Sequence, residues 1–94
     1  MHSLKQCLNN AVDRRAALLE RPETTVLRLV HGEADGVPGL VLDRFGEMLI
    51  AQCFEGRLDI GEAVLRTAVD ELRQRLGAKA VYRKRFVRDR AQAD

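Results

Sequence analysis

Val26-Leu27-Arg28-Leu29-Val30-His31-Gly32-Glu33-Ala34-Asp35-Gly36-Val37-Pro38-Gly39-Leu40-Val41-Leu42-Asp43-Arg44-Phe45-Gly46 is the stretch from which the fold can be read. Two apolar runs rich in leucine and β-branched residues flank a segment that no regular element can cross. Residues 24–30 and Leu40–Phe45 read as strands, because branched side chains fit a pleated, half-buried surface. Between them, three glycines and a proline fall within nine residues, His31 to Gly39. Glycine supplies positive φ and proline fixes its own, so this segment is an ordered turn.

Working outward, Met48–Phe54 is the next strand, and the short Gly46-Glu47 link makes the pair a hairpin. Asp59 with Glu62 three residues on reads as a capping-box start for a helix over 59–76. Ile60, Ala63, Val64, Ala68, Leu72 and Leu76 form its apolar stripe, widened by Leu65 and Val69, and Gly77 sits where a left-handed cap belongs. Residues 78–83 are the fourth strand, running into a basic tail over 83–94. Upstream, residues 3–20 read as a helix with Ser3 as its cap and Pro22 beyond its end. Arg14 and Arg15 fall on its polar face as ordinary solvated charges. The expectation is an α+β fold of order α-β-β-β-α-β, one small domain over residues 1–94. Its sheet is an antiparallel meander, with a helix crossover returning the fourth strand to the same sheet. Leu40, Val41, Leu42 and Phe45 are expected to pack against the helices.

Size bounds what such a domain can do. With 94 residues, folding buries roughly 60–65% of the unfolded surface, enough for one core but not for that core and a deep cofactor pocket. There is no Trp, and Phe45, Phe54, Phe86 and Tyr82 are the only aromatic residues, so the core must be aliphatic. Cys7 and Cys53 fit no metal spacing or disulfide framework and read as small buried hydrophobes, which suits a reducing, cytoplasmic setting. No apolar run approaches membrane-spanning length, and the N-terminus lacks a signal-peptide core.

Several chemistries fail on spacing. A phosphate-binding glycine loop must lead from a strand into a helix, whereas Gly32, Gly36 and Gly39 lie between two strands. His31, Glu33, Asp35 and Asp43 follow no known metal-ligand spacing; acids in such a turn cap backbone amides or pair with Arg28 or Arg44. Neither cysteine has a visible activating base. No catalytic, cofactor or metal residue is therefore assigned. Charge points elsewhere: the net charge is +2, yet Lys79, Arg83, Lys84, Arg85, Arg88 and Arg90 face only Asp89 and Asp94 in the last sixteen residues. Arg83, Lys84, Arg85, Arg88 and Arg90 are the candidate nucleic-acid-binding residues. Clustered cations neutralise phosphates, and Tyr82 or Phe86 can stack on an unpaired base.

The ordered Gly, Pro and acidic positions of Val26 to Gly46 resemble the "RLV-x-G-E-A-D-G-x-P-G-L-x-x-D-R-[YF]-G" signature of bacterial class I S-adenosylmethionine-dependent ribosomal RNA methyltransferases. The resemblance is to the large-subunit cytosine-C5 group. Arg14-Arg15-Ala16-Ala17-Leu18-Leu19 and Val81-Tyr82-Arg83-Lys84 are similar to the flanking segments, so nearly the whole chain is covered. The resemblance implies a middle, pre-catalytic segment, with an RNA-binding PUA domain expected ahead of it and a Rossmann-like catalytic domain after it. The S-adenosylmethionine loop and the catalytic cysteine belong to that later part, so the cofactor is expected in the full-length family and not in this chain. The expected role is a noncatalytic module that assists RNA docking and positions the catalytic domain. Expected partners are ribosomal RNA through the full-length protein, the catalytic domain, and a second copy where an apolar face stays uncovered. The rival readings are a stand-alone interaction domain and a small RNA-binding protein using the basic end.

Overall fold

The computed structural model describes residues 3–23, 25–54 and 56–86. Its elements are α1 (Leu4–Arg14), α2 (Ala16–Leu19), β1 (Val26–His31), a 3-10 turn (Gly32–Asp35), β2 (Leu40–Phe45), β3 (Met48–Phe54), α3 (Glu62–Leu76) and β4 (Ala80–Phe86). The four strands form one sheet in the order β1-β2-β3-β4. The first three are antiparallel neighbours, and β4 returns through α3 to lie parallel to β3. This is the expected α+β fold, with the order α-β-β-β-α-β once the two pieces of the first helix are taken together.

One core holds the fold together. Leu8, Ala11 and Val12 of α1 and Leu65, Ala68, Val69 and Leu72 of α3 pack against Val30, Leu40, Leu42, Leu49, Ala51 and Cys53 of the sheet. Strand alternation sends these sheet residues to one face. Paired positions point the same way, so Val26, Arg28, Val41, Asp43, Phe45, Met48, Ile50, Gln52 and Phe54 share the other face with Ala80, Tyr82, Lys84 and Phe86. The helices cover only the first face.

The details depart from the sequence expectation in several places. The helix expected over 3–20 breaks at Arg15, whose φ of −109° and ψ of 12° leave helical geometry; its guanidinium bonds the Ala11 carbonyl and reaches Asp35. The second helix begins at Glu62, not Asp59. Its N-cap is Gly61, with no side-chain cap, so the capping box does not form. Val64 is 57% exposed, and the buried stripe is Leu65, Ala68, Val69 and Leu72. Phe45 and Val41 do not pack against the helices beside Leu40 and Leu42, because neighbouring strand residues point to opposite faces. Finally, the fourth strand, expected over 78–83, spans Ala80–Phe86, so Lys84 and Arg85 are strand residues and not part of a tail.

Candidate nucleic-acid interface

The glycine turn is held by Asp35. This residue is 5% exposed, and its carboxylate accepts from Arg14, from Arg15 Nη2 at 3.0 Å and from the His31 amide at 2.7 Å. Burial pushes its acidity toward the neutral form, but the hydrogen bonds from Arg14, His31 and Arg15 outweigh it and hold the carboxyl below its ordinary value. Arg14 and Arg15 are thus not idle surface charges; they tie α1 to the turn. Gly36 closes the 3-10 turn at φ 80°. Gly39 is fixed twice over: its φ is 88°, and a Cβ there would lie 2.4 Å from the Leu58 amide nitrogen.

The remaining acids of the turn and β2 are also spent on structure. Glu33 pairs with Arg57 at 3.0 Å. Asp43 accepts from Arg28 Nε at 2.8 Å and from Gln52 at 3.3 Å, satisfying a carboxylate that is 6% exposed. Pairing of Asp43 with Arg28 follows the sequence reading; pairing of Asp35 with α1 does not. Among the described residues, no three His, Cys, Asp or Glu side chains converge as a metal site. Burial pushes the Cys53 thiol up, against a weaker pull from Arg83 and Arg85, which leaves it a poor nucleophile at neutral pH.

The basic run divides between the two faces of β4. Arg83 points to the helix side and bonds Glu62, the first residue of α3. Arg85 shares that side, opposite Cys53. Lys84 lies on the open face opposite Gln52. No ion pair to Lys84 or Arg85 occurs among the described residues, and both are exposed. Arg88 and Arg90 lie outside the described residues.

All four aromatic side chains occupy the open face. Phe54 and Phe86 stack with ring centroids 4.9 Å apart at 13°. Tyr82 is 55% exposed, and at the opposite end Val26, Phe45 and Met48 make an exposed apolar corner across three strands. Sequence reasoning located the aromatics but missed their common face, because the parity of each strand against its neighbours was not yet fixed.

No family model matches the chain. It is 36% identical over 78 residues, 83% of its length, to YwbD, a candidate ribosomal RNA large subunit methyltransferase of Bacillus subtilis. It is 39% identical over 62 residues, 66% of its length, to the ribosomal RNA large subunit methyltransferase I of Erwinia tasmaniensis. The match takes up 19% of the first relative and 16% of the second, so the chain spans less than a fifth of the length of these relatives. A solved structure of a candidate SAM-dependent methyltransferase from Streptococcus mutans superposes with a TM-score of 0.71 at 19% identity, over 90% of this chain and 23% of that one. The chain is thus homologous to a part of ribosomal RNA methyltransferases and shares its fold with a part of the solved structure.

S-adenosylmethionine does not fit the crevice beyond the C-terminal ends of the parallel pair β3 and β4, where α/β sheets bind nucleotides. There Cys53, Leu58, Ile60, Glu62, Arg83 and Arg85 line a cavity of about 100 Å³, against the ~300–1,000 Å³ of small-molecule sites. The Glu62–Arg83 pair spans its polar side.

Proposed function

We propose that this chain is a noncatalytic module of an S-adenosylmethionine-dependent ribosomal RNA (cytosine-C5) methyltransferase, a middle segment that docks RNA and positions the catalytic domain. The observation that carries the reading is the state of charge on β4, taken together with the similarity to ribosomal RNA methyltransferases. Glu62 neutralises Arg83, while Lys84 and Arg85 stand exposed on a strand and so present cations at fixed positions. In sequence, Arg88 and Arg90 extend the same basic run. A cation on a rigid element contacts phosphate with little ordering cost. The positioning role rests on the Val26, Phe45 and Met48 corner, an apolar surface of the kind a neighbouring domain buries. Such a module works in the cytoplasm, where ribosomal RNA is modified; among the described residues, no helix is long and apolar enough to cross a membrane.

Filter binding of a ribosomal RNA fragment across a salt series tests the docking role. Affinity is expected to fall with rising salt, by about 0.7 log units per log unit of salt for each single-strand phosphate contact. Replacing Lys84 and Arg85 together by glutamine should flatten that slope by about 0.7 for each of the two that meets a phosphate. An unchanged slope in the double variant, or no binding at low salt, would reject the role. The rival reading, a stand-alone interaction domain, draws on the same apolar corner and would gain from concentration-dependent sedimentation in the absence of RNA affinity.

A further inference from the structure

We infer that the open face of the sheet along β4 is a platform for an extended, unpaired RNA segment, with one base stacked on Tyr82, one at the Phe54–Phe86 pair, and a phosphate on Lys84. The inference rests on the RNA-docking reading and makes it specific.

Alternation along β4 sets the arrangement. Tyr82, Lys84 and Phe86 are every second residue and so stand in a row on one face. An aromatic ring thus flanks a cation on each side. Tyr82 and Phe86 are four residues apart, roughly 13 Å along a strand. Stacked bases step by only ~3.4 Å, so a duplex cannot place successive bases on both stations, whereas a splayed single strand can. The exposure of Tyr82 leaves its ring accessible, and aromatic stacking accepts any base.

Charge on this face favours a polyanion. Arg28 is already bonded by Asp43, and Gln52 donates to the same carboxylate. Among the described residues, the remaining cation on this face is Lys84, opposite Gln52 and between the two ring stations. The helix side of β4 offers no equivalent row: it carries Val81, Arg83 and Arg85, with Arg83 held by Glu62. An aliphatic partner surface would gain nothing from a lysine in the centre of its contact. RNA would.

Tyr82 is the only tyrosine and there is no tryptophan, so intrinsic emission reports this one ring. Titration with a pyrimidine-rich octanucleotide should quench it saturably, while a hairpin of equal length should quench it far less. In anisotropy measurements on labelled RNA, Tyr82→Ala should weaken binding roughly 5- to 140-fold, and Tyr82→Phe should restore it. Both variants should keep the wild-type circular dichroism, since the side chain is largely exposed. If RNA binds with its salt dependence intact while Tyr82 emission and the Tyr82→Ala affinity are unchanged, the strand runs elsewhere: the inference fails and the docking role survives. If no RNA binds, both fall. If Tyr82→Ala instead abolishes self-association seen by sedimentation, the face docks protein and the inference is overturned.

Discussion

Replacing Asp35 by alanine removes an acceptor shared by α1 and the glycine turn. Arg14 is 54% exposed at its side chain and regains water, so its lost pair costs little. Arg15 is 22% exposed and loses two contacts, at 3.0 and 3.2 Å; the His31 amide loses its side-chain acceptor. Hydrogen bonds to a charged group contribute about 1.5–3 kcal/mol each, and breaking a buried pair costs about 3–5 kcal/mol. With Arg15 still partly wet, the lower end applies, and Asp35→Ala should cost about 3 kcal/mol. For a domain of this size that is a fall in Tm of about 12–24 °C. Asp35→Asn keeps an acceptor for the amide and should cost about half as much. Urea unfolding followed by circular dichroism at neutral pH measures both. The acid limb gives a second check. A carboxyl held below its ordinary value stabilises the fold above the unfolded pKa and loses that effect as pH falls through the folded one. The gap between wild type and Asp35→Asn should therefore shrink progressively as pH drops below 3.8. A cost under about 0.5 kcal/mol for Asp35→Ala, or a gap unchanged down to pH 2, would refute the clamp.

Gly39→Ala should destabilise by about 3 kcal/mol or more, since the added methyl meets the Leu58 backbone and the residue must hold positive φ; near-wild-type denaturant midpoints would contradict the close approach. The two sheet faces can be told apart energetically. Leu42→Ala, fully buried, should cost about 2–5 kcal/mol, and Phe45→Ser, 43% exposed, under about 1 kcal/mol. Equal costs would mean that the face assignment is wrong. Cys7, which is partly exposed, should react with a thiol reagent at pH 8 well before Cys53, which is buried with its thiol pushed up; mass spectrometry of the peptides reads the order, and first labelling at Cys53 would count against the core placement.

Much of the fold was legible because each signal was local. The hairpin link at Gly46, the left-handed cap at Gly77 and the turn from His31 to Gly39 depend on residues near in sequence. What escaped was set by tertiary contact. Leu29 and Val30 are adjacent yet both fully buried, because the β1–β2 register shifts between Arg28 and Val30; such a bulge leaves little trace in a run of leucines and valines. The helix break at Arg15 follows from a carboxylate twenty residues away, so a helical sequence alone cannot show it. Pairing of Arg28 with Asp43 could be anticipated, since both lie on strands flanking one turn. Extension of β4 through Lys84, Arg85 and Phe86 could not: a basic run reads as solvated tail until β3 offers hydrogen-bonding partners along it. The same extension turned a diffuse basic end into two faces with different neighbours, and it brought Tyr82 and Phe86 into line with Lys84.

Methyl transfer from labelled S-adenosylmethionine to ribosomal RNA, measured with this chain as the sole protein, bears most directly on the claim that it holds substrate for chemistry done by another domain. The expected result is RNA retained on the filter with no label incorporated above background. Label that accumulates in the RNA in proportion to the protein added would contradict the claim.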